Sequence, residues 1–319
     1  NITGLFISND ADAANGPTDQ ILIQNNTFTD HKLSAIRFVE SADLGVRVLD
    51  VPLTIQNNTF TQIANSVGYD IFPIDIRLMD GVTHQAVNIF ENDITLTGTV
   101  TSAHQVGAIS VRGNLSDVNI QRNTIDGGNI GSFTGEIITS GIVLAINSFD
   151  ESSGNNLGYI GNGDSLYIAN NFINNFDSAF TVINAINTGT NYAGVPTGAE
   201  VILFDNDLSA NTAVITSLTG EVIDASGNWW GMTDIAAVVG MIAGDVDSSP
   251  ILNSGTDTST DAGFQGDFSA LTVHQSGNQT SAIIGEGLAA IATGATLTVS
   301  PGTYTEDVIV GNGVTLKGS

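Results

Sequence analysis

Ile21-Leu22-Ile23-Gln24-Asn25-Asn26-Thr27-Phe28 returns almost unchanged as Leu53-Thr54-Ile55-Gln56-Asn57-Asn58-Thr59-Phe60. Looser copies end in Asn92-Asp93-Ile94, Asn123-Thr124-Ile125, Asn171-Phe172-Ile173 and Asn206-Asp207-Leu208, and a last one reads Ile223-Asp224-Ala225-Ser226-Gly227-Asn228-Trp229-Trp230. The shared pattern is apolar-x-apolar-x-x-Asn-x-apolar. Self-similarity on this scale points to a solenoid, in which each repeat buries its apolar face against its neighbours.

The repeat is made of strands. Asn26, Asn58, Asn92, Asn123, Asn171, Asn206 and Asn228 are spaced by 32, 34, 31, 48, 35 and 22 residues, too irregular for a helical repeat. Each copy is rich in β-branched residues, Asn, Thr and Gly and alternates with period two, which reads as strand, polar turn, strand. A second strand follows each phrase, as in Ala35–Phe38, Ile74–Leu78, Ala108–Val111, Gly141–Leu144, Phe180–Ile183 and Ala213–Ile215. The expected fold is all-β, a parallel β-helix of about seven coils with short capping helices. Inward residues stack like on like, Phe28 over Phe60. The repeated Asn is expected at a turn that uses left-handed backbone angles, its amide bonded to the same Asn one coil on.

Past residue 231 the pattern changes. Trp230 falls in the slot of Phe28 and Phe60, and Trp229 and Trp230 together are expected to cover the end of the core. Thr233-Asp234-Ile235 reads as a helix N-cap leading into Ala236–Val239. Residues 244–269 read as an acidic cap loop or linker. Ser281 to Thr293 fits a short amphipathic helix that Gly294 can stop. Leu297–Val299, Val308–Val310 and Val314–Leu316 read as strands. The division expected is a stack over 1–231, a cap and acidic linker over 232–276, and a capping helix with the first strands of a next module over 277–319.

The whole phrase resembles the coil repeat of the right-handed parallel β-helix proteins of the pectate-lyase-like superfamily, and Asn228-Trp229-Trp230-Gly231 is similar to the terminal coil of bacterial surface members. The run from Leu288 through Ser300-Pro301-Gly302-Thr303-Tyr304 to Leu316 looks like the way such stacks begin. A beginning at the C-terminus and a mid-coil N-terminus imply a piece cut out of register from a tandem array, or a subunit that docks head to tail. The resemblance implies fold more than function, since this architecture hosts lyases, hydrolases, epimerases and non-catalytic adhesin segments alike.

Charge and composition narrow the classes. Thirty-three acidic residues face seven basic ones, a net charge of −26, which disfavours nucleic acid and anionic membranes as partners. No apolar run reaches the length of a membrane span. There is no cysteine, hence no disulfide framework and no thiolate metal site.

For chemistry, six of the seven basic residues, Lys32, Arg37, Arg47, Arg77, Arg112 and Arg122, precede residue 123, and only Lys317 follows. Ile74-Asp75-Ile76-Arg77 aligns with Ile109-Ser110-Val111-Arg112. Arg77, Arg112 and Asp75, with Glu40 nearby, are therefore the catalytic candidates, a patch able to grip a uronate. The alternative is a solvated ladder of charge. His31, His84, His104 and His274 lack metal-ligand spacing and are expected on the surface or in loops. Calcium is the cofactor that oxygen-rich loops suggest, with candidates Asp205, Asp207, Asp245, Asp247, Asp257, Asp261 and Asp267, although no cofactor is required. Stacked Thr27, Thr29, Thr59 and Thr61 offer a further surface for a glycan.

The expectation for function is a non-catalytic structural or adhesive module of a large extracellular or cell-surface bacterial protein. Its expected partners are copies of itself or adjacent modules, head to tail, and glycans. The alternatives are a polysaccharide-active enzyme acting on acidic glycans and a glycan- or surface-binding module.

Overall fold

A computed structural model of the chain describes residues 3–8, 20–31, 33–39, 51–63, 70–78, 85–98, 106–113, 117–128, 139–146, 148–150, 155–157, 165–184, 200–216, 222–276, 279, 281–311 and 313–319. It is an all-β parallel solenoid. One eight-stranded sheet runs from Thr3–Ser8 through Ser34–Val39, Ile74–Leu78 and Val106–Gly113 to Ile242–Ala243. A second eight-stranded sheet runs from Ile21–Gln24 to Val246–Asp247, and a third has five strands from Thr27–Thr29 to Phe172–Asn174. Isolated bridges Phe172↔Asp207 and Asp207↔Trp229 carry the third column on for two more coils.

The register follows the repeat. Ile23 faces Ile55 and Ile55 faces Ile89 on the second sheet. On the third sheet Phe28 faces Phe60, with ring centroids 5.0 Å apart and planes 7° from parallel. On the first sheet Ile36, Ile74, Ile109, Ile142, Phe180 and Ile215 form one inward column. These residues are fully buried, each worth about 1.5–3 kcal/mol over leaving it in water. The second sheet has one more strand than the seven repeats. In that eighth coil Ile251 bridges Asn228, so an apolar residue takes the asparagine's position and the polar column stops.

The left-handed position is not the repeated asparagine. Positive φ falls on the residue before it, at Asn25, Asn57, Glu91, Arg122, Asn170, Asp205 and Gly227. That residue makes the corner, and the ladder asparagine that follows turns its side chain inward. Glu91 and Arg122 hold this corner without the small polar side chain that eases left-handed angles.

The end of the stack is dense. Trp230 is fully buried in the column that Phe28 and Phe60 begin, whereas Trp229 lies in the outward register of Asp207 and packs on a second core. Helix α1 (Ile235–Gly240) follows, with the Asp234 carboxylate accepting from the amides of Ala236 and Ala237. Residues 253–269 fold back on the corners. Phe264 meets Phe172 edge to face and Phe268 stacks on Phe204. Gly263 lies so close to Asn170 and Arg122 that a Cβ has no room.

A second core gathers Leu252, Phe264, Leu271, Val273, Ile283, Ile284, Ile291 and Leu297. Around it Ile251–Leu252, Ala270–Val273, Thr296–Val299 and Thr315–Gly318 form a four-stranded sheet, and helix α2 (Ile283–Ala290) packs on it. Val308–Val310 form no strand. Without a facing partner the segment stays exposed, Ile309 at 86%. No helix among the described residues is long and apolar enough to cross a membrane.

Candidate functional site

The repeated asparagines form one continuous line of hydrogen bonds. Each of Asn26, Asn58, Asn92, Asn123, Asn171 and Asn206 donates both its backbone N–H and its Nδ2 to the Oδ1 of the next, at 2.9–3.0 Å, ending on Asn228. From Asn58 onward they are at most 1% exposed. Each buried Nδ2 also serves a carbonyl of the preceding coil, as Asn123 serves Ile89 and Asn171 serves Ile120. From Asn58 to Asn228 the ladder amides are thus buried and committed to backbone and to their own kind, while Asn26 at the first rung is exposed.

The catalytic candidates lie on the outer face of the first sheet. Strand alternation puts Ile74, Ile76 and Leu78 in the core and turns Asp75 and Arg77 outward. Register then places Arg37 and Ser110 on either side of Asp75, and Arg112 beside Arg77. Three arginines converge on one carboxylate. Arg77 Nε and Nη2 donate to Asp75 Oδ2 at 3.0 and 2.9 Å. Arg37 Nε lies 3.0 Å from Oδ2, and Arg112 Nε lies 3.2 Å from Oδ1, as ion pairs without hydrogen-bond alignment. Arg112 donates through Nε to Ser110 Oγ at 2.9 Å and through Nη2 to Asp70 Oδ2 at 2.8 Å, and it sits 5.3 Å from the Phe72 ring centroid.

This is not a solvated ladder. Asp75 is 0% exposed, and the side chains of Arg37, Arg77 and Arg112 are only 11–18% exposed. Burial alone would raise the pKa of Asp75, but the charges of Arg112, Arg77 and Arg37 outweigh it and hold the group at about 2. Burial and the neighbouring guanidinium groups lower that of Arg37, while Asp75 and Asp70 offset burial and raise that of Arg112. An arginine remains charged under either shift. The cluster is a closed network of charge-assisted contacts. Asp70 and Phe72 complete it from the irregular stretch just before the strand, where no period-two pattern points to them. Arg37 was missed as a member of the patch, although Ile36-Arg37-Phe38 follows the pattern of Ile74-Asp75-Ile76.

The seven candidate calcium ligands do not come together. Asp207, Asp257 and Asp267 each close a local turn by accepting from Ser209, Ser259 and Ser269. Asp205 is buried and clamps the fold-back segment, accepting from Gly266 N at 2.7 Å and Asn170 Nδ2 at 2.6 Å; burial still pushes its pKa up to about 6. Ser259 Oγ accepts from the Asp261 amide at 3.1 Å. Asp245 precedes the last strand of the second sheet, Val246–Asp247, and Asp247 ends it and accepts from the Ser249 amide at 3.0 Å. Among the described residues no three His, Asp or Glu are placed to hold a metal ion.

His274 lies in the loop after Ala270–Val273, as expected, but is buried there. It is 2% exposed, with Nδ1 3.0 Å from the Gln275 carbonyl, and burial lowers its pKa. His31 lies 6.1 Å from the Phe28 ring. Lys32, Glu40, Arg47, His84 and His104 lie outside the described residues. Thr27, Thr59 and Asp93 stack in the third sheet, so aspartate interrupts that column after two coils, while Thr29 and Thr61 stack on Thr95 over three coils. No protein-family model, curated protein or solved structure matches the chain.

Proposed function

We propose that this chain is a non-catalytic structural or adhesive module of a large extracellular or cell-surface bacterial protein, built on the right-handed β-helix of the pectate-lyase-like superfamily. The observation that carries this reading is the ladder. Seven asparagines, the most repeated polar feature of the sequence, spend their hydrogen bonds holding coil to coil. A stack of this kind is stiff, because each coil is bonded to its neighbours along every sheet. The second core and its parallel strands, Ala270–Val273, Thr296–Val299 and Thr315–Gly318, support a further module following the first. Modules in series, or copies docked head to tail, make a longer rod. The acidic surface suits an extracellular medium and contact with neutral or cationic partners.

The test is end-to-end association of the purified chain, followed by electron microscopy and light scattering over a range of concentrations. Particles that lengthen at constant width support the module reading. Compact monomers at every concentration, from a gene with no similar module beside this one, count against it.

One observation favours a second reading. Arg37, Arg77 and Arg112 meet around Asp75, a charge pattern suited to an acidic glycan. Incubation with pectate and alginate decides between the two. Unsaturated products that disappear in Arg77→Ala would establish a polysaccharide lyase.

A further inference from the structure

A groove of about 500 Å³ opens where the segment that follows the stack meets the C-terminal sheet. Leu271, Val273 and Leu297 turn into the second core. Strand alternation therefore turns Thr272 and Thr298, which face each other in register, to the opposite side. Ser300 continues the lining past the end of Thr296–Val299. Asn253, just after Ile251–Leu252, and Thr233 and Ile235, on either side of the α1 cap, line it from the stack side.

The lining is polar and its hydrogen-bonding groups are largely free. Thr272 donates its hydroxyl to Asn253 Oδ1 at 2.7 Å, which fixes the carboxamide. Among the described residues nothing bonds to Asn253 Nδ2 or to the hydroxyls of Thr233, Thr298 and Ser300, and none of these atoms is sealed from solvent. In a chain with 33 acidic residues, no ionised side chain lines the groove among the described residues. Asp234, beside it, is engaged on the α1 amides, and Lys317 lies one strand beyond Thr298, outside the lining.

We propose that this groove binds a neutral sugar, a mono- or disaccharide unit of a glycan, through Asn253, Thr298, Ser300 and Thr233, with Ile235 against a ring face. Hydroxyls that both donate and accept, and a carboxamide held with its N–H groups free, match the vicinal hydroxyls of a pyranose. The volume falls in the range of small-molecule sites, about 300–1,000 Å³. A cation would meet no carboxylate in the lining, and an anion would leave its charge without a partner on a surface that repels it. A peptide would need pockets for apolar side chains, and Ile235 is the one apolar residue in the lining. A stiff rod needs no such groove, so this inference and the module reading fail separately.

Methyl-resolved NMR titration of the full chain with cellobiose, lactose and mannobiose, and with digalacturonate as the charged comparison, tests it. Saturable shifts at Ile235, Thr272 and Thr298 with at least one neutral disaccharide, at tens of millimolar or below, are the expected result. Thr298→Val keeps the side chain's shape and removes a hydroxyl that no described group uses. It should leave the melting temperature unchanged and weaken that binding about two- to tenfold, the worth of one hydrogen bond. Ser300→Ala gives the same readout at a position outside any strand, and weaker binding in either variant supports the site. No saturable shift at these methyls with any of the neutral disaccharides, shifts with digalacturonate alone, or an affinity unchanged in both variants would overturn it.

Discussion

At the residue scale the decisive group is an amide. Asn123 donates to Asn171 and Ile89 and accepts from Asn92, all within the core. Removing it in Asn123→Ala leaves donors and acceptors unpaired on both neighbouring coils, at an expected cost of about 2–4 kcal/mol by chemical denaturation. Asp75 is the second such residue. Asp75→Asn leaves three mostly buried arginines around a neutral group, and the expected loss is about 3–5 kcal/mol. Its acid behaviour has a definite sign. The folded-state pKa of about 2 lies below the ordinary 3.8. Its contribution is therefore present above about pH 4 and lost as pH falls towards 2, and unfolding free energies measured between those limits should drop more steeply in wild type than in Asp75→Asn.

Among elements, the corners are where improvement is available. Glu91 sits at φ 53° and Arg122 at φ 55°, in positions that Asn25, Asn57 and Asn170 fill elsewhere. Glu91→Asn should raise stability by up to about 1 kcal/mol, less whatever the exposed Arg122–Glu91 pair contributes; a lower melting temperature would show that the pair outweighs the strain. The strands themselves were legible, because inward residues at period two leave no other arrangement for Leu53-Thr54-Ile55 or Ile74-Asp75-Ile76. Helix α1 was legible through Thr233-Asp234-Ile235, of which Asp234 makes the cap. The exchange of roles between Asn25 and Asn26 was not, because two adjacent asparagines suit the corner equally well and only the inward direction of the second separates them. Nor was the exposure of Val308–Val310, since an apolar triplet carries no signal of whether a partner strand exists.

On the scale of the whole molecule, two cores are joined by a segment that folds back over the corners of the first. Phe264, Phe268 and Gly263 tie it down, and the glycine's φ of 76° adds a backbone demand to the lack of room. Gly263→Ala should therefore loosen the fold-back segment. Faster proteolysis within 253–269, with the melting of the first core little changed, is the expected outcome. This tethering was invisible in a stretch whose composition is that of a linker, because aromatic residues spaced singly among aspartates only acquire partners once the stack is built. The arginine cluster was half legible for the same reason: register brought Arg77 and Arg112 together, while Asp70 and Phe72 arrive from the irregular stretch before the strand.

The claim on which all of this stands is that the repeated asparagine builds the stack and does not present a binding motif. Thermal and chemical unfolding of Asn123→Asp against Asn119→Asp tests it most directly, since the two positions share one coil, one inward and buried, the other half-buried on the outer face. The expected loss is about 3–5 kcal/mol for Asn123→Asp, whose carboxylate faces the Asn171 and Ile89 oxygens, against a change within about 1 kcal/mol for Asn119→Asp. Equal and small changes at both positions would contradict it.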